Sequence, residues 1–262
     1  MNIIVCIKQV PSTSKVNVDP VTGVLVRDGI DSKMNPYDLF ALETALRLKE
    51  KKGGLIKVLS MGPPQALEII REAFMMGADQ GFLLSDKKFA GADVLATSYT
   101  LSQGIKKMGG YDLIICGKQT TDGDTAQVGA EMAEFLEIPH ITNTLNILEV
   151  VKDSMVIEMD MPEAIEISRI DFPCLITVEK GIFQPRLPSY KRKMETKDRD
   201  IEIFSLNDLN DKDQNNYGLN GSPTQVEKVF PPEENTDREI WEGDSKDIGI
   251  KVAKKLRELK FV

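Results

Sequence analysis

Residues 117–129 read GKQTTDGDTAQVG and follow the apolar run Leu113-Ile114-Ile115-Cys116. They are dense in Gly, Thr and Asp, and the pattern turns helical again at Ala130. A polar loop between a strand end and a helix start suits an anion. Gly123 lets a backbone approach closely, and the amides of Asp124 to Gln127 would form a helix N-terminus whose free N–H groups and dipole favour negative charge. Lys118 and the hydroxyls of Thr120, Thr121 and Thr125 can add donors. The competing reading is purely local: Asp122 or Asp124 caps the helix and the Thr and Gly residues turn the chain. The glycines match neither the P-loop nor the dinucleotide fingerprint. The two aspartates oppose a bare phosphate cradle and suit a ribose hydroxyl or a neighbouring subunit. They lack the regular spacing of a calcium loop.

Two more loops leave strand ends in the same manner, Lys8-Gln9-Val10 and Ser60-Met61-Gly62. Open α/β sheets bind ligands outside such ends, at the topological switch point. Asn35, ahead of Pro36, reads equally as a helix N-cap and as a site residue.

Other chemistries have little support. The chain has one histidine, His140, read as a loop residue. Its three cysteines, Cys6, Cys116 and Cys174, sit inside apolar runs and read as buried reduced thiols. Zinc sites and Cys/His or Ser/His catalysis are therefore disfavoured. The formal net charge of -8 argues against nucleic acid. No apolar run reaches the roughly 18 residues of a membrane span. The N-terminus MNIIVCIKQV lacks a basic n-region and reads as a strand. These features imply a cytoplasmic protein without membrane insertion.

The elements that would position these loops alternate in type across 262 residues. Asn2 to Val10 reads as one buried strand, then Val16, Val18, Val24 and Val26 as a short hairpin. A helix from Asn35-Pro36 places Leu39, Leu42 and Leu46 on one face, with Glu43 and Arg47 paired on another. Next come strand Leu55–Leu59, helix Gln65–Met76 (Leu67, Ile70 and Phe74 inward), strand Gly81–Leu84, helix Ala92–Met108 (Leu95, Leu101, Ile105 and Met108), strand Leu113–Cys116 and a helix from about Thr125 to Leu136. This alternation predicts a doubly wound, mostly parallel α/β sheet. Met155–Met159, Ala164–Ile170 and Leu175–Val178 read as strands added in antiparallel sense. Residues 207–247 are polar, the pattern of an extended or partly disordered arm. The arm ends in a helix whose stripe Ile248, Val252, Leu256 and Leu259 needs a surface to cover. The expected division is an α/β nucleotide-binding domain over 1–205 and an arm with helix over 206–262.

Ordered blocks along nearly the whole chain carry a resemblance: IVCIKQVP, DGIDSKMNPYDLFALETALRLKEK, VLSMGPPQA, EAFMMGADQGFLL, DLIICGKQTTDGDTAQVGAEMAEFLEIP, FPCLITVEKGIFQPRLPSYKRK and GLNGSPTQV. The chain resembles the β subunit of electron-transfer flavoproteins. That implies a heterodimer with a larger, FAD-carrying α subunit, which the C-terminal arm embraces. In ordinary members the β site holds AMP, against a loop resembling Asp-Asp-x-Asn-Gln-Thr-Gly. Here the loop reads Asp122-Gly123-Asp124-Thr125-Ala126-Gln127-Val128-Gly129, similar to the electron-bifurcating subgroup. That subgroup has a second FAD in this site, which takes hydride from NADH. One electron goes to ferredoxin or flavodoxin, the other through the α-subunit FAD to a flavin dehydrogenase of acyl-CoA or 2-hydroxyacid type.

Carried over by residue, the resemblance assigns cofactor contacts to Ile7, Lys8, Asn35, Ser60, Met61, Gly62, Lys118, Gln119, Thr120, Thr121 and the eight residues 122–129. It assigns dehydrogenase docking to Leu187, Pro188, Tyr190 and Lys191, where composition alone reads a solvated basic loop. Thr13 stands where ordinary members place a Tyr near the α flavin. An ATP-using enzyme on a similar sheet, the alternative class, would need glycine after the first strand, and Val10-Pro11-Ser12-Thr13-Ser14 has none.

Overall fold

Apolar runs pair side by side while the amphipathic helices between them cover both faces of the resulting sheet. The computed structural model describes residues 1–12, 32–227 and 238–261. The hairpin expected around Val16 to Val26, Thr13, and the middle of the polar arm lie outside the described residues.

The elements run β1 (Asn2–Cys6), β2 (Gln9–Pro11), β3 (Ser32–Met34), α1 (Pro36–Lys52), β4 (Leu55–Met61), α2 (Leu67–Met76), β5 (Gln80–Leu84), α3 (Val94–Met108), β6 (Leu113–Gly117), α4 (Val128–Leu136), β7 (His140–Val150), β8 (Ser154–Met161), β9 (Ala164–Asp171), β10 (Cys174–Val178), α5 (Tyr190–Thr196), β11 (Ile201–Phe204) and α6 (Ser245–Glu258). Nine strands form one sheet in the order β11-β5-β4-β1-β6-β10-β7-β8-β9. From β11 to β7 all neighbours are parallel, and β8 and β9 add antiparallel pairs. The doubly wound architecture is as expected. The order reverses at β1, which lies between β4 and β6.

Strand alternation divides the core. Ile3, Val5, Ile56, Val58, Leu113, Ile115 and Ile176 pack toward α1 and α2. Ile4, Leu59, Ile114 and Leu175 join Leu101, Ile105 and Met132 on the face of α3 and α4. Leu206, Leu209 and Tyr217 extend this second core and are buried, so the start of the polar stretch lies against the sheet domain. Tyr217 stacks at 5.5 Å from both Phe89 and Tyr99. Leu42, Leu46, Ile70 and Phe74 are buried as their spacing requires, whereas Leu95 is exposed at the start of α3.

Several expectations are corrected. The first strand stops at Cys6, because the chain turns away after a last bond from the Ile7 amide to Leu59 and Gln9–Pro11 pairs with Ser32–Met34 in a separate antiparallel ribbon. Leu175–Val178 joins in parallel rather than antiparallel sense, between β6 and β7. His140 is the first residue of a long strand, paired with Leu175, and not a loop residue. The short strand β11 also escaped sequence reading. Along α6, Val252, Leu256 and Leu259 are exposed. Among the described residues no helix is long and apolar enough to cross a membrane.

Candidate functional site

The carboxyl ends of β1, β4 and β6 meet beside the reversal of strand order, where a crevice forms in open sheets of this type. One network of side chains joins the loops that leave them. Asn35 occupies the N-cap position of α1 but makes no side-chain cap bond. Its side chain is fully buried and reaches across to the loop after β6. Its Nδ2 donates to the Gln119 carbonyl at 2.9 Å, and its Oδ1 accepts from the Thr121 amide at 3.3 Å. Asn35 thus stands at the N-cap position but uses its side chain to clamp the loop after β6.

Lys8 Nζ donates to both carboxylate oxygens of Asp122 at 2.8 Å, joining the first loop to the third. Burial pushes the Asp122 carboxyl up, but the Lys8 bonds outweigh it and hold the group below the usual carboxylate range. Lys118, expected to offer its charge to an anion, is instead bonded to Glu179, while its amide donates to the Val178 carbonyl at 3.0 Å. Both nearby lysines therefore face carboxylates. Donors for a ligand must come mainly from the backbone.

The loop is built to expose such donors. Asp124 and Ala126 hold left-handed φ of 53° and 57°. Non-glycine residues in that region cost on the order of 1–3 kcal/mol each and cluster at functional sites. Gln127 follows in right-handed geometry, φ -110° and ψ -28°. A left-handed residue followed by a right-handed one turns successive amides toward one concavity, an anion-binding nest. Among the described residues, the amides of Thr125, Ala126 and Gln127 donate to no protein acceptor. These three amides precede α4, which begins at Val128 and not at Thr125. Neither Asp122 nor Asp124 caps α4, whose N-cap Gln127 makes no side-chain bond. Asp124 instead accepts from Gln119 Nε2 within the loop.

At the end of β4, the Gly62 amide donates to the Leu84 carbonyl at 3.0 Å, and Met61 is half-buried. Ser60 is fully buried, yet its Oγ has no partner among the described residues. An unsatisfied buried hydroxyl costs about 1–3 kcal/mol, so this group fits a site that a polar ligand completes. Ile7 is buried, with its amide on the Leu59 carbonyl. Gly129 serves packing. A Cβ there would fall 2.5 Å from Thr177 Cγ2, so the glycine lets α4 lie against β10. Gly123 stands in open space apart from Thr120 Oγ1 at 3.4 Å.

Sequence reading missed Asp38. Its carboxyl, 5% exposed, takes the Lys8 amide on Oδ2 at 2.7 Å and Asn35 Nδ2 on Oδ1 at 2.9 Å. Burial raises its pKa to about 7 against these bonds. The visible signal was Asn35-Pro36-Tyr37-Asp38, an acidic residue three places after a helix cap. Cys6 and Cys116 face each other across β1 and β6, and the Cys116 thiol is pushed well up by its neighbour Cys6 and by burial.

Leu187, Pro188, Tyr190 and Lys191 are not part of this cluster. They lie between β10 and the first turn of α5, with Leu187 87% and Tyr190 74% exposed. A cavity of about 410 Å³ lined by Tyr111, Asp112, Val150 and Phe172 opens at the opposite, amino-terminal edge of the sheet and shares no residue with the loop cluster.

Comparison with known proteins agrees with this arrangement. The electron transfer flavoprotein domain family matches residues 22–209. The electron transfer flavoprotein subunit beta of Clostridium acetobutylicum is 42% identical over 262 residues, all of both chains. That of Thermoanaerobacterium thermosaccharolyticum is 45% identical over 250 residues, 94% of each chain. The caffeyl-CoA reductase-Etf complex subunit CarD of Acetobacterium woodii is 40% identical over 260 residues, 98% of each. With its whole length matched and its loops gathered at the switch point of a doubly wound sheet, the chain belongs to the electron transfer flavoprotein family, as a β subunit.

Proposed function

We propose that the loop cluster binds FAD, and that the chain is the β subunit of an electron-bifurcating flavoprotein that takes electrons from NADH. The observation that carries the binding reading is the row of free amides Thr125, Ala126 and Gln127, held open by two left-handed residues after β6, with the buried, unpartnered Ser60 hydroxyl at the end of β4 as a further polar group. Such donors suit the phosphates of a nucleotide. When bound, the flavin supplies acceptance of a hydride and its release as single electrons. The chain's own residues bind and orient: Asn35 fixes Gln119 and Thr121, Lys8 fixes Asp122, and the loop from Lys118 to Val128 presents its backbone. Gly129 supports that loop by letting α4 close on β10.

The choice of FAD over AMP rests on the loop letters Gly123-Asp124-Thr125-Ala126 and Val128. It is also supported by the Acetobacterium relative, whose name places it in a complex with a CoA-ester reductase. By analogy the partner dehydrogenase is of the acyl-CoA type rather than the 2-hydroxyacid type, and ferredoxin or flavodoxin takes the other electron. Leu187, Pro188, Tyr190 and Lys191 offer the exposed apolar and basic surface for docking the dehydrogenase. The α subunit covers the arm beyond Tyr217 and the exposed stripe of α6 in a cytoplasmic heterodimer, the sheet domain of residues 1–205 being the nucleotide-binding unit, with Leu206, Leu209 and Tyr217 packed against it.

Counting cofactors in the purified αβ complex tests the proposal. Two FAD per heterodimer, with flavin reduced by NADH, is the expected result. One FAD and one AMP would sink the bifurcating reading and leave an ordinary β subunit with a structural nucleotide.

A further inference from the structure

We propose that Asp38 is the positioning residue of the nucleotide site, its carboxylate tying three of the segments that build it, the first loop, the start of α1 and the loop after β6, into a binding-competent arrangement. The inference rests on reading the loop cluster as that site. Asp38 acts through its neighbours. Its Oδ2 holds the Lys8 amide at 2.7 Å, and its Oδ1 holds Asn35 Nδ2 at 2.9 Å. The end of β6 also lies against the carboxyl, at Gly117. A Cβ at Gly117 would lie 2.5 Å from Oδ1, so the strand end there has room only for glycine. Asn35 passes the constraint on to Gln119 and Thr121. One buried carboxylate thus sits beneath the first loop, the start of α1 and the loop after β6.

Every group bonded to Asp38 is a donor. A proton on the carboxyl takes one of its lone pairs and removes the negative charge that strengthens both bonds, so the ties to Lys8 and Asn35 loosen. Burial places this titration at about 7. The charged and titratable groups facing Asp38 are the Lys8 ammonium, itself paired with Asp122, and the Cys116 thiol. Asp122 is held low and Cys116 pushed high, so neither changes charge between pH 6 and 8.

The test measures the dissociation constant of FAD, and of AMP, for the nucleotide-stripped αβ heterodimer at pH 6, 7 and 8. FAD is the cleaner probe because its pyrophosphate binds no proton in that range. If only the carboxylate form is competent, the constant for FAD rises about tenfold from pH 8 to pH 6. Asp38→Asn keeps the shape but turns one donor toward donors. It should bind about tenfold more weakly at pH 8 and lose the pH dependence, with an unchanged urea midpoint showing that the fold survives. A merely structural role would not remove the pH dependence. A flat wild-type profile overturns the inference, whether or not the variant folds, as does an Asn variant that keeps the wild-type slope. Failure of the wild-type complex to bind either nucleotide overturns the site reading itself and this inference with it.

Discussion

Arg186 grips Glu43 across the gap between the exposed Leu187 segment and α1. Its Nε donates to Oε2 at 2.8 Å and its Nη2 to Oε1 at 3.1 Å, while Glu43 is only 2% exposed. Arg47 adds a bond to Oε1 at 2.9 Å, and Arg186 Nη1 reaches Glu50 at 2.7 Å. Burial pushes the Glu43 carboxyl up, but the two arginines outweigh it and hold the group below its usual range. A carboxyl whose folded pKa is lowered stabilises the fold above its unfolded pKa, and that contribution disappears as pH falls through the folded value. Glu43→Gln should therefore lower stability by about 2–3 kcal/mol at pH 7. Urea unfolding should show this gap steady from pH 6 to 8 and shrinking below about pH 4.

Asn35→Ala should weaken nucleotide binding more than it weakens the fold. It releases the Gln119 carbonyl and the Thr121 amide, both in a partly exposed loop that water can reach. It also removes one donor from Asp38. Losing such bonds is worth about 1–2 kcal/mol, so calorimetric titration should read about a tenfold loss in FAD or AMP affinity. An unchanged affinity would show that the loop after β6 holds its shape without the clamp.

Much of the fold was legible because Leu113–Cys116, Leu55–Leu59 and Leu175–Val178 are short apolar-rich runs between helical patterns, as strands buried on both faces require. The strand from His140 was not, since its pairing with β8 shifts register twice and Asn143 adopts a left-handed φ of 56°. Those irregularities scramble the alternation that marks a strand. The sense of β10 depends on where its neighbours lie, and no local pattern records that. In the site, the three loops were readable from their positions after strands. Asp38 was hidden because a carboxylate three residues into a helix looks like an ordinary first-turn acid. Its role comes from Lys8, 30 positions away in sequence.

The glycines of the loop should separate by role. Gly129→Ala would push a methyl to 2.5 Å from Thr177 Cγ2 at the contact of α4 with β10. Overpacking of this kind costs about 1–3 kcal/mol and should lower the thermal midpoint of the complex. Gly123→Ala meets nothing nearer than Thr120 Oγ1 at 3.4 Å. Stability should then change by less than about 0.5 kcal/mol. Equal losses for both variants would contradict the packing role of Gly129.

Asp122→Asn tests what the Lys8 pair does. The pair is substantially exposed, 44% and 35% by side chain, and such pairs add about 0–1 kcal/mol. The fold should hardly notice the change. Binding should respond, because Asp122 is charged throughout pH 6–8 and occupies the Lys8 ammonium in the loop cluster. Removing that negative charge frees Lys8 for a phosphate, and affinity for AMP should rise about threefold at low salt. The gain should shrink as ionic strength increases, since partly exposed charges are screened over about 10 Å at 0.1 M. A fall in affinity instead would mean that Asp122 accepts a bond from the ligand itself, as a ribose hydroxyl would supply, and that Lys8 serves only to aim it.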